Sequence, residues 1–151
     1  MSAPMLLTPH FTLAELTASQ TAARLGIDNT PSPEIIENLR RTAALLEECR
    51  TVLGNKPIVV SSGYRCPALN KAVGGVPGGA HVTGQAADFV RPGLYVATVC
   101  QRLVGTPGLR WDQIIREYDH AGAGWVHIAW SRTPRMQVLT IDHNGTREGL
   151  S

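Results

Sequence analysis

The sequence predicts an α+β fold in which N-terminal helices pack on a mainly antiparallel sheet. The first third of the chain repeats apolar residues at helical spacing, and the remainder alternates short β-branched segments with glycine and proline. The chain has 151 residues with 15 glycines and 10 prolines, which is typical of one loop-rich domain. We therefore expect a single domain over 1–151, with a helical part at about 11–54 and a sheet part at about 57–142.

The first predicted helix is marked by a capping box. Thr12 and Glu15 have the T-x-x-E spacing, in which the two side chains cap the first turn reciprocally. Gly26 is a favourable terminator, because glycine readily adopts the left-handed conformation at a helix end. The pattern predicts a helix at about 13–24.

A second, longer helix is predicted to begin after Ser32. Serine is a preferred N-cap, and Pro33 suits the first helical position because its missing N–H would be unpaired there. The helix is expected to run to about Leu53, before Gly54. Its core stripe at helical spacing comprises Ile35, Leu39, Leu46, Cys49 and Leu53.

The rest of the chain predicts strands separated by turns. One further helix is expected at 94–104, and a short one is possible in the loop after the first strand. The last strand is expected to end at the hairpin-like turn signal His-Asn-Gly. The predicted strands are 57–62, 85–90, 111–118, 125–130 and 136–142.

Composition excludes several classes of function. Lys+Arg is 14 and Asp+Glu is 12, and the resulting net charge of +2 is not clustered, which argues against a nucleic-acid partner. No apolar run approaches the roughly 18 residues of a membrane span. The N-terminus lacks the pattern of a secretory signal, so we expect cytoplasmic synthesis without a Sec signal of its own.

The three cysteines do not indicate a disulfide framework. Cys49, Cys66 and Cys100 cannot all pair within one chain, and no C-x-x-C spacing suggests a thiolate zinc site. We expect Cys49 and Cys100 to be small core residues in helices.

Two of the five histidines lie in unusual settings. His81 follows a glycine-rich loop, Asp88 comes seven residues later on a predicted strand, and His127 lies within another strand. Two imidazoles and one carboxylate from separate elements would leave a fourth zinc position open, as catalytic zinc requires. Taken alone, a histidine is more often a surface residue or a satisfied core residue than a metal ligand. Strand alternation places Trp125, His127 and Ala129 on one face and Val126, Ile128 and Trp130 on the other.

The local sequence around these residues resembles a known family. GAHVTGQAADF is similar to the S-x-H-x-x-G-x-A-x-D motif of the zinc D-Ala-D-Ala carboxypeptidase family, metallopeptidase family fifteen, which shares its fold with the hedgehog signalling domain. SSGYRCPALNKAVGG resembles the family's S-G-Y-R segment, and WVHIAW resembles its terminal W-x-H motif. The opening FTLAELTASQTAARLGIDNTPSPE resembles that of short phage and prophage members. The resemblance covers about 11–130.

The resemblance implies one zinc ion per chain, held by His81, Asp88 and His127. Two neutral imidazole nitrogens and a carboxylate oxygen are compatible with zinc. It also implies that Arg65, in S-G-Y-R, points toward the metal and binds substrate or supports the oxyanion. Ala80 stands where the family usually has serine, and we expect a change around the ligands there without loss of metal.

The general base is assigned less directly. Many family members place an acidic residue three positions before the second histidine, where this chain has Gly124. WDQIIRE resembles the hedgehog segment in which a strand ends in a glutamate facing the zinc site, and this points to Glu117. Asp119 is the alternative base, and His120 is either a proton shuttle or a solvated residue. Trp125 is expected to form a wall of the cleft and to contact substrate.

The expected function is therefore that of a zinc metallopeptidase acting on peptidoglycan stem peptides. The activity would be that of a D-Ala-D-Ala carboxypeptidase or an endolysin-type endopeptidase, working on the bacterial cell wall as a monomer. By analogy with short family members, a phage or prophage enzyme is expected. The alternatives are a non-catalytic zinc-binding structural or binding module of a phage particle, and an interaction domain without metal.

Overall fold

The protein is described by a computed structural model that covers residues 5–119 and 123–151. The helices in these residues are α1 (Leu13–Thr17), α2 (Gln20–Leu25), α3 (Pro33–Val52), α4 (Pro67–Ala72) and α5 (Val96–Val104). The strands are β1 (Leu6–Thr8), β2 (Phe11–Thr12), β3 (Val59–Ser62), β4 (Ala86–Val90), β5 (Gln113–Glu117), β6 (Trp125–Ala129), β7 (Gln137–Asp142) and β8 (Gly145–Glu148).

The main sheet has six strands in the order β3-β4-β6-β5-β7-β8. Adjacent strands of this sheet pair antiparallel, except for β5 and β7, which pair parallel. The parallel pair arises because β6 returns the chain to the start of β5, where Gln137 pairs with Gln113. The α+β class and the mainly antiparallel sheet are confirmed, and β1 and β2 form a separate two-stranded sheet.

The long helix α3 forms as its sequence predicts. The Ser32 side chain accepts a hydrogen bond from the Ile35 N–H, and Pro33 occupies the first helical position. Its buried face includes Leu39, Leu46 and Cys49. The helix therefore presents the predicted apolar stripe to the core.

The prediction of one helix at 13–24 is wrong, because the segment forms two helices. The capping box of Thr12 and Glu15 is present, but α1 ends at Thr17 and Ala18 is extended. The Ser19 side chain then accepts from the Ala22 N–H and caps a new helix. A local side-chain cap thus competes with helix continuation, as serine commonly does.

Three short strands were not predicted from the sequence. β1 and β2 have only three and two residues, which is too short to show an alternating pattern. β8 has the polar sequence GTRE and pairs antiparallel with β7 across the His-Asn-Gly turn. The predicted turn is therefore confirmed, but β7 is followed by a further strand. The short helix in the loop after β3 is α4.

The sheet has one face in the core and one face that carries the candidate site. On β4 the residues Ala87 and Phe89 belong to the core cluster, and on β6 Val126 and Ile128 do so. Because side chains alternate along a strand, Asp88 projects from the opposite face. The buried core cluster also contains Cys49 and Cys100, as predicted for these two cysteines.

None of the described helices is both long enough and apolar enough to cross a membrane.

Candidate metal centre and cleft

Three buried side chains converge on the open face of the sheet. His81, Asp88 and His127 each offer one ligand atom, and these atoms all lie within 4.8 Å of one another. The Asp88 Oδ1 atom is 3.2 Å from His81 Nε2 and 3.0 Å from His127 Nδ1. Among the residues that the structure describes, no other set of three or more histidine, cysteine, aspartate or glutamate residues forms such a cluster.

Strand register and a turn position these three residues. Asp88 on β4 and His127 on β6 are direct partners across the antiparallel ladder. His81 lies in the turn before β4, and its Nδ1 lies 2.7 Å from the Gly63 carbonyl oxygen. Because a neutral imidazole has one N–H, donation from Nδ1 to this carbonyl leaves a lone pair on Nε2 facing Asp88.

The arrangement fits a zinc ion. Two ring nitrogens and a carboxylate oxygen are typical zinc ligands, with bonds of about 2.0–2.1 Å. Ligands of a tetrahedral ion at that distance are about 3.3 Å apart, close to the 3.2 Å and 3.0 Å observed here. The His81 lone pair and the Asp88 carboxylate otherwise face each other as two acceptors, which a cation between them would accommodate.

Asp88 is ionised at this site. Burial raises the pKa of its carboxyl, but the hydrogen bond with His127 and the adjacent His81 ring outweigh burial and hold that pKa well below its usual range. The carboxylate is therefore available as a ligand at neutral pH.

Arg65 lies in the same cleft with its guanidinium held on three sides. Nε donates to Ser62 Oγ at 3.1 Å, and Nη1 donates to Asn70 Oδ1 at 3.3 Å. Nη2 donates to Asp88 Oδ2 at 3.4 Å. The arginine is thus fixed beside the metal ligands, which agrees with the direction that the family resemblance implies for it.

Glu117 also faces the cluster, from the end of β5. Its Oε1 lies 4.0 Å from His127 Nδ1, and it lines the same cleft. Burial raises the pKa of the Glu117 carboxyl, and the negative charge of Asp88 raises it further. Gln113, Ile115 and Glu117 alternate along β5, and all three line the cleft.

Asp119 is occupied elsewhere. Its Oδ2 accepts from Arg116 Nε at 2.9 Å, and it does not line the cleft. His120, the other residue considered for proton transfer, lies outside the described residues.

The backbone explains the missing acid at Gly124. This glycine has φ +94, and an added Cβ would lie 2.5 Å from the Glu117 carbonyl oxygen and 2.7 Å from the Asp119 backbone. A side chain at this position would therefore need the backbone at Glu117 and Asp119 to move. An acidic side chain at position 124 does not fit this backbone, whereas the Glu117 Oε1 atom lies 4.0 Å from His127 Nδ1 in the described cleft.

The cleft has a volume of about 680 Å³ and extends beyond the predicted residues. Trp125 lines it as predicted, and its ring centroid is 5.5 Å from that of Tyr118. The sequence did not indicate that Asn70, Asp112, Tyr118 and Arg135 also line the cleft, because only the fold brings them there.

An ion pair closes the end of the cleft opposite Glu117. Arg135 Nη2 donates to Asp112 Oδ2 at 2.8 Å, Nε donates to Oδ1 at 3.1 Å, and the Arg135 backbone N–H donates to Oδ1 at 3.0 Å. These hydrogen bonds with Arg135 lower the pKa of Asp112.

The Asp112 ion pair predicts a pH-dependent contribution to stability. Since the folded pKa is depressed, the contribution is present above the unfolded value of about 3.9 and is lost as pH falls through the folded pKa. We expect Asp112→Asn to lower the unfolding free energy of the metal-free protein by about 1 kcal/mol at pH 7, because Arg135 is partly exposed. Urea unfolding from pH 7 to pH 2 measures this difference, which should shrink at the acidic end. A difference that is the same at both ends would contradict the assignment.

Comparison with known proteins identifies the family. A family model described as Peptidase M15 matches residues 9–128, which include all three candidate ligands, Arg65 and Glu117. The chain belongs to the Peptidase M15 family. This confirms the resemblance to zinc D-Ala-D-Ala carboxypeptidases, and the α+β architecture is consistent with the M15 fold. No curated protein matches the chain.

Membership of the family indicates which metal the cluster of His81, Asp88 and His127 would hold. M15 peptidases are zinc-dependent, and His81, Asp88 and His127 form a possible site for that metal. The structure brings Arg65, Glu117 and Trp125 to the same M15 cleft. The individual roles of these six residues stay predictions.

Proposed function

We propose that this M15 peptidase is a zinc-dependent hydrolase that cleaves peptidoglycan stem peptides at the bacterial cell wall. The observation that carries the proposal is the placement of Glu117 and Arg65 in one cleft with the three candidate zinc ligands. A cleft of about 680 Å³ can take several residues of a peptide. One zinc ion per chain, a monomeric enzyme and an origin in a phage or prophage are parts of the same proposal.

The metal-binding residues would be His81, Asp88 and His127. When bound there, zinc would supply Lewis acidity toward the scissile carbonyl and lower the pKa of water. Glu117 would accept a proton from the attacking water and later return it to the leaving amine. Its place 4.0 Å from His127 supports this role, since it brings the carboxylate to the edge of the metal cluster.

Arg65 would stabilise the negative charge that develops on the substrate oxygen. A guanidinium that is already oriented needs little reorganisation when that charge appears. Its contacts with Ser62 and Asn70 provide the orientation.

Replacing Arg65 with lysine tests this role. Lysine keeps the positive charge but lacks the planar fork that contacts Ser62, Asn70 and Asp88 together. We expect Arg65→Lys to reduce kcat by about 10- to 100-fold with zinc content within error of the wild type. Steady-state kinetics and metal analysis of one preparation measure both quantities. Full activity in the variant would show that Arg65 acts only as a point charge or a structural residue.

Digestion of purified peptidoglycan tests the function itself. The zinc-loaded protein is incubated with the wall polymer, and mass spectrometry identifies the released fragments. Release of free D-alanine would identify a carboxypeptidase, and shortened or uncrosslinked stems would identify an endopeptidase. Glu117→Gln provides the matched inactive control, and equal fragment release by both proteins would contradict the proposed mechanism.

A second candidate is a non-catalytic zinc-binding module of a phage particle. Gly124 favours it, because the position where many family members carry the acidic residue has none here. This candidate predicts zinc binding without peptide hydrolysis. The same digestion therefore separates the two, since metal content alone would not.

A further inference from the structure

The end of the cleft opposite Glu117 presents an anchored arginine. We propose that Arg135 is a specificity-determining residue that binds a carboxylate of the substrate, two to three residues from the scissile bond. The inference rests on the proposed peptidase function, and it names the substrate class as an acidic peptide longer than a dipeptide.

Arg135 is fixed in position and still open to a ligand. Asp112 is 8% exposed and receives three donors from Arg135, whereas the Arg135 side chain is 58% exposed. The remaining terminal nitrogen, Nη1, has no hydrogen-bond partner within the described part of the chain. The ion pair thus restrains the guanidinium before a substrate arrives and leaves donors for a second carboxylate.

The sheet register measures how far Arg135 lies from the metal cluster. Ile115 pairs with His127, so the cluster lies at the level of Ile115 on β5. Asp112, the ion-pair partner of Arg135, comes three residues before Ile115. This separation corresponds to about 10 Å at about 3.3 Å per residue. An extended peptide covers that distance in about three residues, and a carboxylate one residue from the scissile bond would fall short of Arg135.

Charge around this end favours an anionic group. The lining residues at this end are Asp112, Gln113 and Arg135, so Arg135 is the cation that a substrate carboxylate can reach there, whereas Arg110 and Arg132 line a separate pocket. The opposite end of the cleft carries Glu117 together with the apolar and aromatic side chains of Tyr118, Trp125 and Ile141. A substrate with an acidic residue would therefore bind in one direction, with its carboxylate toward Arg135.

Arg135 lies beyond the region that the family shares. The Peptidase M15 match ends at residue 128, seven residues before this arginine. The proposed selectivity is thus a property of this chain's own segment between β6 and β7.

Paired peptides that differ in one charge test the proposal. In the first pair, a synthetic stem pentapeptide is compared with its isoglutamine form, in which the free carboxylate of the second residue becomes a carboxamide. In the second pair, the free carboxylate of the third residue becomes a carboxamide. Dissociation constants are measured by calorimetry in the zinc-loaded, Glu117→Gln background. Arg135→Gln is the test variant, and Arg132→Gln is the matched control, since Arg132 is an exposed arginine of the same segment that does not line the cleft.

In one of the two peptide pairs, we expect the Glu117→Gln background protein to bind the carboxylate form about tenfold more tightly than the carboxamide form. The same preference is expected when Arg132→Gln is added to that background. Arg135→Gln should bind both forms equally, and in the active enzyme its effect should fall on KM with little change in kcat. An acid preference that persists in Arg135→Gln, or no acid preference or no binding in the background protein, would overturn the proposal. If the preference depends on Arg135 but the active enzyme cuts no peptide, the Arg135 site stands and the peptidase function is wrong.

Discussion

Replacing Glu117 with glutamine is expected to reduce hydrolysis of stem peptides by about 10²–10⁴-fold, the usual contribution of a positioned general base. The amide keeps the size of the side chain but cannot accept a proton from water. The fold and the zinc content should be unchanged, because Glu117 lies at the edge of the cluster, outside the three candidate ligands. Peptide hydrolysis, circular dichroism and metal analysis of the same preparation check the three parts.

Asp119→Asn is the matched control for Glu117→Gln. Both changes convert one carboxylate to an amide at the end of β5, but Asp119 is paired with Arg116 and does not line the cleft. We expect the Asp119 variant to lose less than about threefold in activity, because the general-base contribution remains. If Asp119→Asn abolishes hydrolysis while Glu117→Gln remains active, the assignment of the base to β5 is wrong.

Replacing His81 with alanine is expected to remove both zinc and hydrolysis. The change deletes one of three candidate ligands and leaves Asp88 with fewer partners for its buried charge. Since a metal stabilises only the state that binds it, chelation of wild-type protein should lower its Tm, by about 5–10 °C when free zinc was 100-fold above Kd. The His81→Ala protein should show no such shift.

His10→Ala is the control for this experiment. His10 is an exposed residue that pairs with Glu47 at 2.7 Å and does not line the cleft. It should retain the zinc content and the chelator-dependent Tm of the wild type. Equal zinc in the wild-type and His81→Ala proteins would rule out His81 as a ligand.

Capping residues and strand alternation, which depend only on neighbouring residues, correctly predicted the start of α3 and the two faces of β6. Ser32 and Pro33 mark the start of α3 because capping depends on a few neighbouring residues. The alternation in WVHIAW correctly separated Val126 and Ile128, which are in the core, from His127. The sequence did not predict the break between α1 and α2 at Ser19. The capping signals of Thr12 and Gly26 mark the two ends of the segment, but they do not show whether one helix or two lie between them.

The candidate site was predicted where motifs carry it and missed where only tertiary structure does. His81, Asp88 and His127 come from three segments, and the register of β4 with β6 brings two of them face to face. Gly124 was identified as a departure from the family, but the reason required backbone geometry, since its positive φ and its contact with Glu117 are not visible in the sequence. The pairing of Asp112 with Arg135 spans 23 residues and follows from the parallel pairing of β5 with β7, which no local pattern indicates.

We expect two histidines and one aspartate of this chain, His81, His127 and Asp88, to hold a zinc ion. X-ray absorption at the zinc edge of the stoichiometrically loaded wild-type protein tests it most directly. The expected spectrum shows nitrogen and oxygen neighbours at about 2.0–2.1 Å with the scattering signature of two imidazole rings. A sulfur neighbour at about 2.3 Å, which would require one of the three cysteines, or a shell of oxygen atoms without imidazole would contradict it.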